Sequence, residues 1–510
     1  METKTNLQKA LFNIRYGYIL VFALFTVLNK FIPFVGHVGD TISTLVYNSL
    51  AIFGALLLAV DFFTRRNMFR IRYNWLLLAF FGVYILSMVY NIRFGWADNA
   101  KTLVWMLIQT FMLMAADPDQ PVEAHQKPLN IIFNGYIIVW FTGVAVSLWQ
   151  FVVQYYAPHI AASGDSTPEG FLDGRLYGVF TDPNVAAVCS VIAALLAVYL
   201  LKVTCRRPFV KLCYWITIVF NLIYVVLSGS RTGELILIGI AVAAAVFIGI
   251  SKIYAAGTKW FVKITQRLLL VALSLVIVVG GIKVLKVGLP YVPQIYSRIE
   301  SVFQSPSESD PSDDPSNPDD SLDPDDGPIN LERPDVVGSD DISNARFKIW
   351  ADALKLFQKS PLLGTSARNH LAFAENYFGE EMYMVQRGYS VHNGYLSLLT
   401  HTGLLGAGVM ALWMGCVVAY ILSYLIRRRK ARDAHYKAIV CMALVLLAVA
   451  ISAFPMMGIF FGNSIIEVLF WLIMGYTLYL VRVSDQKNSD KEPVLYRISE
   501  SIVSKFKRKG

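Results

Sequence analysis

The sequence has little charge for its length and few cysteines. Of its 510 residues, 16% are Asp, Glu, Lys or Arg, whereas a soluble domain usually carries about 25%. This low charge excludes a soluble enzyme and a nucleic-acid-binding domain. The cysteines lie in or beside apolar runs, at spacings that suit neither a metal site nor a disulfide framework. They are Cys189, Cys205, Cys213, Cys416 and Cys441.

Long apolar runs account for the missing charge, since 55% of the residues are hydrophobic. Each run approaches or exceeds the roughly 20 residues that a helix needs to cross a bilayer. The pattern predicts an all-α polytopic membrane protein with about twelve transmembrane helices, which also excludes a single-pass receptor. The predicted helices span 14–34, 42–62, 74–92, 102–116, 129–153, 185–201, 213–228, 235–250, 268–286, 394–426, 438–455 and 464–482.

The distribution of Lys and Arg predicts the orientation, because these residues concentrate on the cytoplasmic side of a membrane. With the N-terminus inside, the inner segments hold 30 of the 45 Lys and Arg residues, and the short outer loops and outer helix ends hold seven. Both termini are therefore expected in the cytoplasm. The inner segment that supports this orientation least is 117–128, which contains one basic residue, Lys127, and three acidic residues.

This topology divides the chain into four parts. Residues 1–286 form membrane helices 1–9, 287–393 an extracytoplasmic loop, 394–482 helices 10–12, and 483–510 a cytoplasmic tail. A loop of that length is uncommon unless it is functional or disordered.

The first part of the long loop, 305–341, is acidic and is expected to be largely disordered. It holds 13 of the 36 acidic residues and one base, Arg333. Its low-complexity stretch 305–328 is rich in Pro, Asp and Ser and cannot bury enough apolar surface to fold. A solvated tether is the favoured interpretation, and loose cation binding or a cell-wall contact is the alternative.

The second part of the loop, 342–393, is expected to be partly helical and catalytic. Phe347, Trp350, Ala351, Leu354 and Phe357 recur at helical spacing. The pattern predicts an amphipathic helix that rests on the bilayer surface or on the helix bundle.

Two outer segments carry an arginine among small residues, and ionisable groups at a membrane are functional candidates by default. Arg175 lies in a Gly-bracketed turn, close to Asp182 and Asn184, which are expected to cap the next helix. Ser230 and Arg231 lie in a short turn where exposed backbone N–H groups can cradle phosphate. Each guanidinium suits diphosphate oxygens, although an interfacial, snorkelling Arg231 is an alternative.

A histidine marks the point where the long loop enters helix 10. A neutral imidazole at His392 can take a proton from a sugar hydroxyl. His401 is expected to be a structural, hydrogen-bonding histidine, and Gly403 and Gly406 to allow close helix contact. Arg346 begins the amphipathic helix, where a structural role is favoured. Outer arginines with one histidine fit transfer from a lipid diphosphate, whose leaving group needs charge stabilisation.

These residues resemble the signature motifs of the O-antigen ligase and O-antigen polymerase superfamily of bacterial envelope glycosyltransferases. His392-Asn393 is followed by nine residues, Gly403, two residues and Gly406, which is a full match to the family pattern. One departure is Thr365-Ser366, where the family often has a second glycine-rich element. Further similar elements are Arg346, Trp350, Ala353 and Pro361–Gly364, then Arg175, Gly178, Pro183 and Asn184, and Ser230-Arg231.

The resemblance implies a metal-independent, cofactor-free, inverting transfer of a saccharide from undecaprenyl diphosphate to an acceptor hydroxyl. His392 would deprotonate the acceptor, and Arg175 and Arg231 would hold the diphosphate. Ser230, Asn393 and Arg346 are further substrate-binding candidates. The implied partners are an undecaprenyl-diphosphate-linked oligosaccharide, a growing polysaccharide acceptor, membrane lipids and a candidate chain-length regulator, without nucleic acid. The implied location is the bacterial plasma membrane, with the active site on the extracytoplasmic face.

Three functions remain open at this point. A polysaccharide polymerase is favoured because of the breadth of the family, and a ligase that moves finished glycan to a lipid or protein shares the same chemistry. A transporter of lipid-linked saccharide predicts an internal repeat and charged or broken helices near the midplane. Neither feature is evident, and Glu467 is the main charged residue inside a predicted helix.

Overall fold

The structure is a computed structural model that describes residues 2–160, 166–253, 260–303, 328–333, 345–428, 433–456 and 459–485. Of the expected tether 305–328, only Pro328 is among these residues. Of the expected tail 483–510, only the first three residues are described. The predictions made for the remainder of both segments lie outside the described residues.

Helices build almost all of the described chain. They are α1 Glu2–Leu28, α2 Ile32–Thr64, α3 Asn74–Tyr90, α4 Ala97–Leu107, α5 Val122–Val152, α6 Pro183–Tyr199, α7 Pro208–Leu227, α8 Arg231–Ile253, α9 Trp260–Gly288, α10 Val292–Phe303, α11 Arg346–Lys359, α12 His370–Phe378, α13 Tyr383–Arg387, α14 Gly394–Arg427, α15 Ala434–Ser452 and α16 Ile465–Ser484. Every predicted membrane segment overlaps one of these helices, although 14–34 and 102–116 run past the ends of α1 and α4.

Nine helices in the described part of the chain are long and apolar enough to cross a membrane. The all-α polytopic fold is therefore confirmed. The shorter apolar helix α3, of 17 residues, does not reach that length, and α4 continues into a π-helical turn over Ile108–Leu113. The count of twelve spans stays a prediction.

A small antiparallel sheet lies between α5 and α6, and the sequence analysis did not predict it. Its strands are β1 Tyr156–Ile160, β2 Ser166–Leu172 and β3 Arg175–Gly178, in the order β1-β2-β3. Asp173 and Gly174 join β2 to β3, and both have positive φ, at 50° and 70°. An Asp-Gly pair with two positive φ angles is the preferred two-residue hairpin turn. This turn fixes where β3, and hence Arg175, begins.

Helix α16 is the centre of the bundle, whereas α9 lies at its periphery. Every residue of α16 from Ile465 to Val481 is buried, while Ile282 is the one residue of α9 with a described side chain that is buried. Glu467 belongs to a capping box in the first turn of α16, where its carboxylate accepts the backbone N–H of Ser464 at 2.7 Å. Glu467, the main charged residue inside a predicted helix, therefore caps the N-terminus of α16.

One end of the bundle, here named the paired end, holds arginines that are matched by carboxylates. Arg65 lies 3.1 Å from Asp117, and both side chains are only 7% exposed. Arg70 lies 2.6 Å from Asp119. A third ion pair joins Arg427 to Asp485, at 2.6 Å. The first two pairs bring segments 64–73 and 117–128 to the same end of the bundle, as the predicted topology requires.

Helix α14 is broken at Gly403, which has φ 62° and ψ −168°. Residues 361–366, here named the docking loop, fill the break. The N–H of Leu404 donates to the carbonyl of Pro361 at 2.8 Å, and the N–H of Thr365 donates to the carbonyl of Thr400 at 2.9 Å. A Cβ at Gly364 or Gly403 would collide with backbone across this junction. Gly403 therefore serves a loop–helix junction, and its predicted role in helix–helix contact is corrected.

Helices α11, α12 and α13 enclose a small apolar core of their own beside the bundle. The helix predicted at α11 is present. Ile349, Ala353 and Leu356 are buried against protein, whereas Phe347 is 59% and Leu354 46% exposed. The placement of the predicted apolar face on the bilayer surface stays a prediction. Packing against neighbouring elements determines which of the two apolar stripes of α11 is covered by protein. On the covered side, the buried Asp352 accepts the backbone N–H of Met384 at 3.2 Å.

Candidate active site

The site lies at the end of α14 opposite the paired end and is here named the site end. Arg175, the first residue of β3, is held by two acceptors. Its Nε donates to the carbonyl of Ser228 at 2.8 Å and its Nη2 to Oδ1 of Asn184 at 2.7 Å. Its guanidinium also lies 5.4 Å from the ring centre of Tyr177. These contacts fix one guanidinium between the sheet, α6 and the turn that follows α7.

That turn, Ser228-Gly229-Ser230, leads directly into α8. Gly229 has φ 59°, a conformation that glycine adopts without strain. Ser230 is buried, and its hydroxyl accepts the N–H of Gly233 at 3.3 Å, so it caps the start of α8. Arg231 is the first residue of α8, and it is exposed. The substrate-binding role of Ser230 stays a prediction, to which the structure adds a capping role.

A third arginine, Arg333, reaches the same turn from the long loop. Its Nη1 donates to the carbonyl of Gly229 at 2.9 Å. It belongs to the short described segment 328–333, here named the strap, which lies at the edge of the acidic stretch. The sequence analysis noted Arg333 only as the one base among acids, because composition alone does not show where a segment packs.

Arg346, the first residue of α11, brings a fourth guanidinium. Burial is the largest cause that lowers its pKa, and the positive charges of Arg231 and Arg333 lower it further. Burial followed by Arg333 likewise lowers the pKa of Arg175. Each of the four guanidinium groups is therefore within electrostatic range of at least one other, through Arg333 and Arg346. Arg346 lies near other arginines, and both its favoured structural role and its substrate-binding role stay predictions.

His392 lies just before α14, between the arginine cluster and the small core of α11–α13. Its backbone has φ 50°, an uncommon conformation that structures retain mainly where a side chain must be aimed. Burial, followed by the charge of Arg346, lowers its pKa, and Asp182 opposes this shift. The imidazole is therefore neutral near pH 7, which is the state that can accept a proton.

Asn393 follows the histidine and fixes its position. The Asn393 side chain accepts the N–H of Leu396 at 2.9 Å and so caps α14. The next N–H, of Gly394, donates to the carbonyls of Ala453 and Met456 at 2.7 and 2.9 Å. A direct substrate contact by Asn393 stays a prediction, and the observed contacts make it a positioning residue for His392.

Asp182 is the carboxylate common to these groups. It caps α6 through the N–H of Asn184 at 2.7 Å, as predicted, and its charge acts on Arg175, Arg346 and His392. Asn184 was also expected to cap, but its side chain instead accepts from Arg175. One negative charge at the N-terminus of α6 therefore stabilises the positive charges of Arg175 and Arg346.

A groove of about 740 Å³ opens beside the arginines, between α8, the end of α9 and the strap. Arg231 and Arg333 line it, together with an ion pair of Glu234 and Lys286 at 2.6 Å. Apolar side chains such as Val226 and Val287 complete the lining. The groove can therefore take a ligand with an anionic head and an apolar body.

His401 does not have the hydrogen bonds that were expected of it. It is 1% exposed, and neither ring nitrogen has a hydrogen-bond partner among the described residues. It lies against the rings of His370, at 5.3 Å between centres, and Phe461, at 5.1 Å. Its predicted hydrogen-bonding role is corrected to a packing role beside the docking loop.

The structure brings together all the arginines predicted for the site, and Arg346 links them to His392. It adds Arg333 and Asp182 as charged neighbours. Within the described ranges, no group of three or more His, Cys, Asp or Glu residues is placed to hold a metal ion. The charged groups at hand are therefore suited to a polyanion and to proton transfer.

The fold and the site define a polytopic membrane protein with an arginine-rich, histidine-containing site at one end of its helices. Residues 216–411 match the family described as O-antigen ligase. This region contains Arg231, Arg333, Arg346 and His392. The match confirms the resemblance to the O-antigen ligase and O-antigen polymerase superfamily and supports a glycosyltransferase-like function of that type. No curated protein matches the chain significantly.

Proposed function

We propose that the protein is a polysaccharide polymerase on the extracytoplasmic face of a bacterial plasma membrane. It transfers a glycan from undecaprenyl diphosphate to a hydroxyl of a lipid-linked repeat unit, in capsule, exopolysaccharide or O-antigen assembly. The observation that carries the proposal is a cluster of arginines, of which Arg231 and Arg333 line a groove with apolar side chains and Arg346 acts on a neutral histidine. The site end faces outward in this proposal, with both termini in the cytoplasm.

His392 acts as the general base. The neutral imidazole takes the proton of the acceptor hydroxyl while that oxygen attacks the anomeric carbon of the donor. The bond between the anomeric carbon and the diphosphate oxygen breaks as the new glycosidic bond forms, so the configuration inverts. The lowered pKa of His392 keeps the base unprotonated at neutral pH.

Arg175 and Arg231 stabilise the diphosphate as it leaves. Guanidinium groups that are already fixed to protein acceptors need little reorganisation when negative charge develops near them. Arg175 has this preorganisation through Ser228 and Asn184. Binding of a polyanion would also relieve the mutual repulsion that lowers the pKa values of Arg175 and Arg346. The chemistry proposed needs neither a metal nor a cofactor.

A ligase is the second candidate, since the matching family is described by that activity. It would use the same base and the same arginines, and only the acceptor would differ. The acceptor would then be a lipid or protein that receives finished glycan. The distinction requires the products to be examined in the host.

The test is deletion of the gene in its host, followed by gel analysis of the envelope polysaccharide. The strain is complemented with wild type, His392→Ala, Arg231→Ala and, as a control, His37→Ala. His37 is an exposed histidine at the start of α2 that contacts the carbonyl of Pro33. We expect wild type and His37→Ala to restore long chains, and His392→Ala and Arg231→Ala to leave single repeat units on the carrier lipid.

Other outcomes would redirect the assignment. Long chains that remain on undecaprenyl diphosphate in the deletion strain would identify a ligase. Full restoration by His392→Ala would remove the base from the mechanism and favour a transporter of lipid-linked saccharide.

A further inference from the structure

The strap, residues 328–333, is packed against the site end although it belongs to an acid-rich stretch. The N–H of Ile329 donates to the carbonyl of Pro290 at 3.3 Å, and Leu331 packs on the main hydrophobic core. At Gly174, a Cβ would lie 2.5 Å from the carbonyl oxygen of Glu332. The hairpin glycine therefore leaves room for the strap, and the two backbones are in close contact.

Arg333 ends the strap above the turn between α7 and α8. In addition to the hydrogen bond with the Gly229 carbonyl, its Cδ lies 3.0 Å from the place where a Cβ of Gly229 would be. The Cγ of Arg175 lies 3.7 Å from the same point. Both arginine side chains therefore approach Gly229 at the place that a side chain would occupy.

The placement of Arg333 adds a positive charge beside the other arginines. After burial, its charge is the next cause that lowers the pKa of Arg175, and it also lowers the pKa of Arg346. Like charges held close together repel, so an anionic ligand bound among them lowers the free energy. Arg333 also lines the groove with Arg231, so its charge acts on whatever occupies that groove.

We propose that Arg333 is a diphosphate-binding residue, supplied to the donor site by the acid-rich segment of the long loop through the strap. This inference rests on the proposed function, because it assigns a further ligand of the same lipid-linked diphosphate. The acid-rich segment then does more than connect two parts of the chain, since it carries one wall of the donor groove. Loss of the strap opens that groove and removes one positive charge.

The test measures binding of undecaprenyl diphosphate to the full-length protein in nanodiscs of zwitterionic lipid. The variants are Arg333→Ala, Arg333→Lys, Arg231→Ala and Leu331→Ala. The charge control is Arg93→Ala, which removes an exposed arginine that donates to the Tyr377 hydroxyl. We expect Arg333→Ala to weaken binding about tenfold, in keeping with the loss of one charge-assisted hydrogen bond. Arg93→Ala is expected to bind as wild type does.

Two further variants distinguish a role of the Arg333 charge from a role in anchoring the strap. Arg333→Lys keeps a positive charge but not the planar fork, and we expect it to recover part of the lost affinity. Leu331→Ala loosens the strap but keeps the charge, so we expect a smaller loss than with Arg333→Ala. The dependence of binding on salt should become shallower in Arg333→Ala. Competition by inorganic pyrophosphate shows whether the head group alone is recognised, and it should weaken in parallel in Arg333→Ala.

The outcomes distinguish the two proposals. Weak binding by Arg231→Ala together with wild-type binding by Arg333→Ala would overturn the inference and leave the proposed function intact. Equal losses in Leu331→Ala and Arg333→Ala, without recovery by Arg333→Lys, would make Arg333 an anchor and also overturn it. Absence of donor binding by wild type would overturn the donor assignment in the proposed function and the inference with it.

Discussion

Arginines at the two ends of this helix bundle differ in the partners that the structure gives them. At the paired end, each of three arginines lies within 3.1 Å of a carboxylate. At the site end, Arg175 and Arg333 donate to neutral acceptors and lie within range of other arginines. Three arginines at the paired end are therefore neutralised by carboxylates, whereas the positive charges at the site end lie near one another.

This difference separates arginines that support the fold from those available to a ligand. An ion pair that is complete within the protein gains little from an added anion. Arg175, which is held by a carbonyl and an amide oxygen, keeps its positive charge, and a polyanion is attracted to it. Asp182 opposes the positive charges of Arg175 and Arg346 and also acts on His392.

The largest effect on folding is expected from Arg65→Ala at the paired end. Arg65 and Asp117 are both 7% exposed, and removal of one partner of a buried pair costs about 3–5 kcal/mol. We expect the thermal unfolding temperature of the purified protein to fall by several degrees, with unchanged activity per folded molecule. A loss of activity without a loss of stability would contradict the division between the ends.

The second largest effect is expected from Arg175→Ala at the site end. Removal of a preorganised charge donor lowers turnover about 10²–10³-fold, whereas thermal stability should change little because the like charges around Arg175 are relieved. The measurement is kcat/KM for glycan transfer, with Arg175→Lys as the conservative control. An unfolding temperature that falls as far as in Arg65→Ala would make Arg175 a structural residue.

A subtler effect is expected from Arg346→Ala on the pH dependence of transfer. Arg346 lowers the pKa of His392, second only to burial, so its removal raises that pKa. A base with a raised pKa stays protonated up to a higher pH, and the acid limb of the pH–rate profile should move to higher pH. Lys359→Ala, at the end of the same helix beside Tyr377, should leave the limb in place. A limb that moves to lower pH, or not at all, would remove His392 or Arg346 from the assignment.

The smallest effect is expected from Arg70→Ala. The Arg70 side chain is 11% exposed, but its partner Asp119 is 70% exposed, and a pair that is open to water at one partner contributes only about 0–1 kcal/mol. Both the unfolding temperature and the transfer rate should remain near those of wild type. A large change in either quantity would show that solvent exposure does not determine how much each ion pair at this end contributes to stability.

The sequence allowed the helices and most of the site to be predicted, for different reasons. Apolar runs of bilayer length determine where helices form, and each predicted run is helical. Arg175, Arg231 and His392 stood out because ionisable residues among small or apolar ones are rare at a membrane. Their chemistry is visible without knowledge of which segments lie together, although their roles remain predictions.

The features that were missed depend on contacts between distant segments. Arg333 lies in a stretch whose composition predicts disorder, and only its contact with Gly229 reveals its place. The buried face of α11 could not be chosen from periodicity because two apolar stripes compete, and Ile349 is buried while Phe347 is exposed. The hairpin that bears Arg175 is too short to give a periodic signal.

The break in α14 has a consequence for the order in which the site is assembled. The carbonyls and N–H groups at the break are completed by residues 361–366, which leave the ribosome before Gly403 does. In the proposed orientation, the docking loop crosses the membrane before it can complete the break in α14, whose first turns follow His392. Alignment of the proposed base would thereby depend on translocation of the longest loop.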